Sequence, residues 1–319
     1  MNHGLAIVCL RLFFIWRWFI RYVPFFRLTI LLFFWLGKKF TASRFGQNLP
    51  ASVSMRTKDG IVITGNISDT IVLLVWLTGE WEPALSKWMR SRLHPGSTFI
   101  DVGANIGTHS LSMAKTVGAA GRVVAIEAAL DTYQELTHNV TTNKFLCIRC
   151  IHMAAGPADD SVTLYKGAAM NSGMASTVPP LDWVPSGPSD VVQSAPLHEL
   201  LTKDEIQNAR LIKIDIEGGE SKLIPTLGSL FPALSDSLEF IVEIETRRYG
   251  PAQRSALVGP FLSAGYRMFH IESYWKRNTP RPVTLQWIEG LSGRDVDIIF
   301  TKHSDACVAR REGRSCARD

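Results

Sequence analysis

The stretch Phe99–Gly107, FIDVGANIG, passes from an apolar run through an acid into a turn framed by two glycines. The residues at 111–120 that follow have helical character. This pattern predicts a strand, a tight turn and a helix, and open α/β sheets bind their ligands at such a carboxyl edge. Gly103 and Gly107 lack a Cβ, so backbone and ligand can approach closely. Backbone N–H groups and the helix dipole can hold an anionic group there, which predicts a ligand site.

A second acid extends this site. Glu127 closes the apolar run VVAIE, twenty residues after Gly107. A carboxylate at this place in a doubly wound sheet can accept hydrogen bonds from both hydroxyl groups of a ribose. The two segments together predict a cofactor that contains a nucleoside.

Two cofactors of this kind compete. A dinucleotide fingerprint reads G-x-G-x-x-G because a pyrophosphate must lie against the loop, whereas three residues separate Gly103 from Gly107. Asp101 would repel a pyrophosphate but suits an ammonium group. S-adenosyl-L-methionine has an ammonium group, a carboxylate for the helix terminus and a ribose for Glu127, so the residues favour this methyl donor. An ordinary strand–turn–helix, in which the two glycines serve only the turn, is the other interpretation.

Further strand-like runs follow along the chain. They are Val123–Glu127, Ile148–Ala154, Ser161–Lys166, Leu211–Asp215, Phe240–Ile244, Tyr266–Ile271 and Val296–Thr301. Helical patterns separate most of them, at Leu130–Thr142, Glu220–Leu227 and Ala252–Ser263. This alternation predicts a mostly parallel sheet with helices on both faces. Because only the short segment 286–294 separates the last two runs, we expect an antiparallel strand at the end of the sheet.

Acids close several of these runs. Asp101, Glu127, Asp215 and either Glu243 or Glu245 lie at or near the carboxyl ends of their strands. In a parallel sheet these ends share one edge, so we expect the carboxylates to lie close together. Isolated acids at strand ends are common as caps, and carboxylates gathered on one edge can attract Mg²⁺. We predict a site without a metal ion.

Charge is distributed unevenly along the 319 residues. Residues 1–58 contain nine Lys or Arg and no Asp or Glu, while the rest of the chain holds 25 basic and 29 acidic side chains. The net charge of +5 is therefore a property of the amino-terminal region. The acidic body argues against nucleic-acid binding.

The segment Leu10–Phe40 is apolar, rich in Trp and Phe, and contains Arg11, Arg17, Arg21 and Arg27. Such a composition is typical of helices that lie in a membrane interface. Each arginine near the centre of a spanning helix costs about 2.5–3.5 kcal/mol, which offsets much of the apolar gain. We predict a helical arm that associates with a membrane surface or bilayer through residues 10–40. An apolar helix packed on the body or on a partner is the alternative.

The composition divides the chain into three predicted regions. They are an apolar, basic, membrane-associated arm at residues 1–50, a catalytic domain at 51–302 and a basic tail at 303–319. The tail has almost no apolar pattern, and we expect it to be disordered. The sequence leaves the compartment and the oligomeric state open.

Four blocks of the sequence resemble the FkbM family of S-adenosylmethionine-dependent methyltransferases. Gly79–Pro83 (GEWEP) resembles the family's G-x-[YW]-E-P block. Phe99–Gly107 closely matches F-x-D-V-G-A-N-x-G, and Ile212–Glu220 (IKIDIEGGE) resembles the distinctive K-x-D-x-E-G-x-E block. Phe240–Ile244 resembles the strand that carries a family glutamate, best matched by Glu243. The likeness runs from about residue 61 to residue 302.

The resemblance implies a class I methyltransferase-like (Rossmann-like) fold with S-adenosyl-L-methionine as cofactor. The cofactor-binding residues are then Asp101, Gly103, Asn105, Gly107, Glu127 and Glu82. The resemblance also implies catalytic roles for Asp215, Glu217 and Glu243, and a hydroxyl acceptor would gain from a nearby base. Asp215 is the first candidate for that base or for an orienting group. Glu220 can equally be an acid that complements a helix dipole, and His109 fits packing better than catalysis.

The resulting prediction is a membrane-associated methyltransferase that acts on a hydroxyl group of a sugar, a glycolipid or another small metabolite. An NAD(P)-dependent oxidoreductase is one alternative, and a non-catalytic membrane-bound module that retains the fold is another. Binding of the methyl donor without dinucleotide binding separates the first two. Turnover separates the first from the third.

Overall fold

The computed structural model describes residues 52–67, 69–166, 175–179, 190–272, 279–293, 295–304 and 308. The predicted arm at residues 10–40 lies outside these residues. Of the predicted tail at 303–319, they include only residues 303, 304 and 308. The chain forms two compact units, one ending at Trp81 and one beginning at Glu82. Within the described ranges, no helix combines the length and the hydropathy that a membrane crossing requires.

The described part of the first unit is a hairpin followed by one helix. Strands β1 (Ser52–Arg56) and β2 (Val62–Asn66) pair in antiparallel fashion. Helix α1 (Thr70–Thr78) begins after Asp69, whose carboxylate accepts two backbone N–H groups of the first turn at 2.8 and 3.2 Å. It ends at Gly79, which has φ 80°. A left-handed glycine is the usual stop of a helix.

The second unit contains the strands and helices that carry the acids. Its helices are α2 (Pro83–Arg92), α3 (Thr108–Val117), α4 (Leu130–Asn143), α5 (Leu197–Leu200), α6 (Lys203–Gln207), α7 (Glu220–Leu223), α8 (Pro251–Ser263) and α9 (Leu285–Glu289). Its strands are β3 (Thr98–Val102), β4 (Arg122–Glu127), β5 (Ile148–His152), β6 (Ala154–Ala155), β7 (Asp159–Lys166), β8 (Ala175–Ser176), β9 (Asp190–Ala195), β10 (Ala209–Ile214), β11 (Glu239–Glu245), β12 (Arg267–Ile271), β13 (Arg281–Pro282) and β14 (Asp295–Thr301).

The main sheet has the strand order β13-β12-β14-β11-β10-β3-β4-β5. Its strands from β11 to β5 run parallel, and β14 is antiparallel to both β11 and β12. Both faces are covered, because Ile100 and Val102 pack into one hydrophobic core while Phe99 packs into the other. The predicted fold is confirmed: a mostly parallel, Rossmann-like sheet with an antiparallel strand and helices on both faces.

The position of the antiparallel strand corrects one expectation. We expected it at the end of the sheet, but β14 lies inside, between β11 and β12. Val296, Ile298 and Phe300 pack on one face of the sheet and Ile299 packs on the other. A strand that is apolar on both sides needs cover on both faces, and an interior place provides it.

Two other predicted elements are each divided into two in the structure. The run Ile148–Ala154 divides after His152, because β6 pairs with β9 in a second sheet of order β6-β9-β7-β8. The helix predicted at Glu220–Leu227 is α-helical only to Leu223 and continues as a 3-10 helix over Ile224–Ser229. The second residue of that segment is a proline, which has no N–H to donate.

Candidate active site

The glycine loop follows β3 at the carboxyl edge of the main sheet. Gly103 has φ 82°, and a Cβ there would lie 1.8 Å from the carbonyl oxygen of Asp215. Gly107 has φ 91°, and a Cβ there would lie 2.7 Å from Leu136 Cδ1. Close approach of backbone therefore requires glycine at 103, and the left-handed backbone favours glycine at 107.

Most donors of this loop are already used. The N–H groups of Gly103 and Ala104 both donate to the carbonyl oxygen of Ile126 at 2.9 Å. Asn105 donates to the Glu127 carboxylate at 2.9 Å, and the next two N–H groups are satisfied within the loop. We expected the loop itself to hold an anion. The geometry leaves that role to the first turn of α3, where the positive end of the helix dipole lies.

Glu127 braces the loop from the next strand. Its Oε2 accepts the Asn105 N–H and its Oε1 accepts the Ala129 N–H, each at 2.9 Å. The side chain is buried, and burial raises its pKa to about 7 despite these hydrogen bonds. Each carboxylate oxygen has a second lone pair, so Glu127 can still accept from a ligand.

Asp101 has an unsatisfied oxygen. Its Oδ2 accepts a hydrogen bond from Ser110 Oγ at 2.6 Å. Its Oδ1 is buried and has no hydrogen-bond partner among the described residues. Burial raises the pKa of this carboxyl, and attraction to Lys213 opposes that shift. A buried polar atom without a partner is rare in native proteins, and a donor from a ligand would satisfy it.

Lys213 is a site residue to which the sequence alone assigned no role. Its side chain is buried on β10, and its Nζ lies 2.6 Å from Asp215 Oδ2. Burial disfavours the ammonium, but attraction to Asp215, Asp101 and Glu82 outweighs burial and holds its pKa above the usual value. The signal was present in LIKID. A lysine between apolar residues of a buried strand needs carboxylate partners, because an unpaired buried charge is costly.

Glu82 and His109 form a second buried pair. His109 Nε2 lies 2.9 Å from Glu82 Oε2, and His109 Nδ1 lies 3.3 Å from Ser86 Oγ. Glu82 has φ 42°, a left-handed conformation, and burial raises its pKa to about 7. The protein contact of Glu82 is thus with His109, and its predicted role at the cofactor stays a prediction. His109 is packed, with both ring nitrogens within hydrogen-bond distance of protein partners.

The three catalytic candidates lie close together: Asp215 and Glu217 follow β10, and Glu243 lies within β11. Burial acts to raise the pKa of Asp215, but the Lys213 ammonium outweighs it and holds that pKa below the usual value. Glu243 shares a hydrogen bond with Asp215, and burial together with the Asp215 charge raises the pKa of Glu243 well above normal. Burial and Asp215 also raise the pKa of Glu217 well above normal. Neighbouring carboxyls in one site thus have pKa values shifted in opposite directions.

The turn that carries Glu217 is held from several sides. Glu217 has φ 52° and Gly218 has φ 91°. Ser176 Oγ donates to the Glu217 carbonyl at 2.6 Å, and Tyr249 Oη donates to the Gly218 carbonyl at 2.5 Å. A left-handed non-glycine residue costs about 1–3 kcal/mol and persists only where its surroundings fix it. These contacts fix the backbone at Glu217 and Gly218, next to the Glu217 side chain.

Glu220, which the sequence predicts as either a site residue or an acid at the start of a helix, makes a structural contact. Its Oε1 accepts the N–H of Ile216 at 2.9 Å and so closes the turn before α7. The side chain is 1% exposed, its Oε2 has no partner among the described residues, and burial raises its pKa to about 8. Through Oε1, Glu220 supports the backbone of the site.

The predicted gathering of acids is observed for Asp101, Asp215 and Glu243, while Glu127 contacts the glycine loop instead. One ammonium, that of Lys213, faces Asp101, Asp215 and Glu82, while Glu243 adjoins Asp215. Such an edge favours a cationic ligand, because each buried carboxylate lowers its free energy by gaining a positive partner. The ammonium group and the sulfonium of S-adenosyl-L-methionine fit this requirement. In the described ranges, no set of three or more His, Cys, Asp and Glu has the arrangement of a metal site.

Comparison with known families identifies one match. The family profile described as the methyltransferase FkbM domain matches residues 101–268, slightly more than half of the chain. The matched range contains the glycine loop, Glu127, Asp215 and Glu243. It does not contain Glu82. No match is found among curated proteins.

Several solved structures are similar in fold. The SAM-dependent methyltransferase from Agrobacterium tumefaciens is 11% identical, with 80% of this chain and 71% of that chain covered and a TM-score of 0.46. Aeropyrum pernix fibrillarin, solved with natively bound S-adenosyl-L-methionine, is 11% identical, with 79% and 94% covered and a TM-score of 0.41. Methyltransferase FkbM from Methylobacillus flagellatus KT is 17% identical, with 64% and 43% covered and a TM-score of 0.38. All three TM-scores lie below 0.5, and the family match, not these likenesses, identifies the chain.

Proposed function

Because the chain belongs to the FkbM methyltransferase family and uses S-adenosyl-L-methionine as its methyl donor, we propose that the acceptor is a hydroxyl group of a sugar, a glycolipid or another small metabolite. The observation that carries this proposal is the pair Asp215 and Glu217. The pKa of the first is held below its usual value and that of the second well above it. Two carboxyls with separated pKa values are the arrangement that general acid–base chemistry needs.

The residues around the glycine loop have distinct roles toward the cofactor in this proposal. The buried Oδ1 of Asp101 accepts a hydrogen bond from the ammonium group. Glu127 accepts from the ribose hydroxyls with the lone pairs that its loop contacts leave open. The positive end of α3 receives the carboxylate. When bound, the cofactor supplies a methyl group on a positively charged sulfur, and the carbon–sulfur electron pair stays with the sulfur.

The acceptor hydroxyl must be aligned with that methyl group and must lose its proton. Asp215, ionised and paired with Lys213 at 2.6 Å, accepts a hydrogen bond from the hydroxyl and fixes its direction. Glu217, the stronger base once it is deprotonated, takes the proton. Glu243 is a positioning residue that donates to Asp215 and holds it in place. Alignment of this kind contributes more to such a transfer than acid–base strength does.

Metabolite and lipid profiling tests the acceptor proposal. Cells that produce the protein are compared with cells that lack it and with cells that produce Asp215→Asn. We expect species heavier by 14 daltons in the first cells alone, with fragmentation that places the methyl group on oxygen. Methylation on nitrogen would contradict the hydroxyl proposal, as would the same products in cells with Asp215→Asn.

We also propose that residues 10–40 attach the protein to a membrane. The segment carries aromatic and apolar side chains with four arginines and no acid, and each basic residue near an anionic surface contributes about 1 kcal/mol. The full chain is expected to pellet with vesicles that contain anionic lipid, and a chain that lacks residues 1–45 is not. Release by high salt indicates an interfacial arm, and retention indicates a spanning one. Equal pelleting of both chains, or unfolding of the shortened one, would contradict membrane attachment.

A further inference from the structure

A cavity of about 410 Å³ lies beside the second sheet and is lined by β7, by residues that follow β6 and by the segment 175–179. Its volume lies in the range of small-molecule pockets, about 300–1,000 Å³. None of the residues assigned above to the cofactor or to proton transfer lines it. The cavity is therefore a feature that those roles do not explain.

The cavity wall formed by β7 is mostly polar. Asp159, Ser161, Thr163 and Tyr165 line the cavity, and Val162 lines it as well where the strand is irregular. Thr163 and Tyr165 share a face of the strand, and Leu164 between them packs into a hydrophobic cluster. A strand face that only meets solvent would also be polar. This face also borders a cavity, because Thr177 and Lys222 from other segments line the same space.

The hydroxyl groups of this wall are open to a ligand. Ser161 and Thr163 are exposed, Tyr165 is half-buried and Ser194 is buried. Each hydroxyl can donate one hydrogen bond and accept two. A ligand with several hydroxyl groups can exchange hydrogen bonds with them in place of water, whereas an apolar ligand cannot.

The cavity shares a wall with the turn that carries Glu217. Thr177 lines the cavity, and its neighbour Ser176 donates to the Glu217 carbonyl at 2.6 Å. Lys222 lines the cavity from α7 and donates through Nζ to the Thr177 carbonyl at 2.7 Å. A Cβ on Gly219 would lie 3.2 Å from Thr177 Oγ1. The same segment thus bounds the cavity and holds the backbone of the proposed proton-transfer site.

We propose that this cavity binds a polyhydroxylated part of the methyl acceptor. It recognises a group of several hydroxyls through the face of β7, and it places that group next to the turn at Glu217. This inference rests on the proposed function, because it assigns the cavity to the acceptor of that same reaction. It commits to a ligand of sugar or polyol chemistry and excludes an apolar alcohol.

Ligand-observed saturation-transfer NMR on the full chain tests the proposal. The probes are methyl hexopyranosides, myo-inositol and, as the apolar comparator, cyclohexanol, each with the demethylated cofactor present. We expect transfer to the polyhydroxylated probes and little to cyclohexanol. Ser161→Ala combined with Thr163→Val should reduce that transfer about fivefold or more, the effect of one lost hydrogen bond. Tyr165→Phe, which removes one oxygen, serves as a milder second variant.

The matched control is Thr141→Val, which makes the same change at an exposed threonine of α4. It should leave transfer to every probe unchanged. Titration with S-adenosyl-L-methionine, run on all the variants, separates the two proposals. If the methyl donor binds but no polyhydroxylated probe does, or if the double variant retains full transfer, the cavity proposal is wrong. If the methyl donor itself does not bind, the proposed function fails instead.

Discussion

The amino ends and the carboxyl ends of the parallel strands form two edges of the main sheet, the amino edge and the carboxyl edge. The buried charges at these two edges are satisfied in different ways. At the amino edge, Glu239 is fully buried and accepts two hydrogen bonds from Arg92, at 2.7 and 2.9 Å, with Arg210 also at 2.9 Å. At the carboxyl edge, the ammonium of Lys213 faces several carboxylates, and Asp101 keeps an oxygen without a partner among the described residues.

This difference distinguishes charged residues that stabilise the fold from charged residues that can bind a ligand. A buried carboxylate with bidentate arginine partners is satisfied by the protein itself, so the amino edge needs no ligand. An excess of buried carboxylates raises several pKa values and leaves acceptors unused. That excess lowers stability, and the fold tolerates it where a cationic ligand completes the site. We expect substitutions at the amino edge to change stability and those at the carboxyl edge to change binding or turnover.

The largest effect is expected from Glu239→Ala. Loss of this carboxylate leaves two guanidinium groups of the amino edge without their buried partner, and such a break costs about 3–5 kcal/mol of stability. Urea unfolding measures the free energy, with the exposed Glu199→Ala as control. Under native conditions the affinity for the methyl donor should be unchanged. A small change in stability together with weakened cofactor binding would contradict the structural role of the amino edge.

Glu127→Ala tests the carboxyl edge through the cofactor. Removing a charged acceptor should weaken binding of S-adenosyl-L-methionine by about 1.5–3 kcal/mol. Titration calorimetry gives the affinity. Because Glu127 also accepts the N–H groups of Asn105 and Ala129, some loss of stability without cofactor is expected as well. Lower stability with unchanged affinity would show that Glu127 only braces the loop.

Asp215→Asn tests turnover at the same edge. We expect a loss of more than about tenfold in rate, or 1.4 kcal/mol, because the amide cannot orient the acceptor as an ion does. Affinity for the methyl donor should stay within a few-fold. Asp236→Asn, a change at a fully exposed carboxyl, is the control. An equal loss of cofactor affinity would indicate that Asp215 binds the cofactor and not the acceptor.

Glu220→Gln tests the stability cost of the crowded edge. The pKa of Glu220 is raised from 4.5 to about 8 by burial, so the folded protein binds the extra proton between these values. The stability due to that proton is complete below pH 4.5 and is lost as the pH rises through 8, by up to about 1.4 kcal/mol per pH unit. Glu220→Gln has no carboxyl to titrate at this position, so its stability does not show this pH-dependent decrease. Unfolding measured from pH 5 to 9 should favour Glu220→Gln increasingly, and parallel curves would contradict the assignment.

Much of the fold and the general place of the site followed from sequence pattern. The alternation of strand-like and helical runs predicted a parallel sheet, and the acids at the strand ends predicted one acidic edge. The reason is that the carboxyl ends of parallel strands lie at the same edge of a sheet. The short segment before β14 suggested a hairpin at the end of the sheet, but the apolar character of both faces of β14 requires an interior place. Lys213 was missed because its importance depends on acids that other strands bring to it. The left-handed Glu217 and the used N–H groups of the loop depend on tertiary contacts that no local pattern records.

The most direct test of the unbalanced carboxyl edge is titration calorimetry of the full chain and of Asp101→Asn with S-adenosyl-L-methionine and, separately, with NADH. We expect one methyl donor per chain, binding to Asp101→Asn weaker by about tenfold or more because the ammonium loses a charged acceptor, and no heat from NADH. Tight NADH binding with no response to the methyl donor, or equal affinity of both proteins for it, would contradict the account.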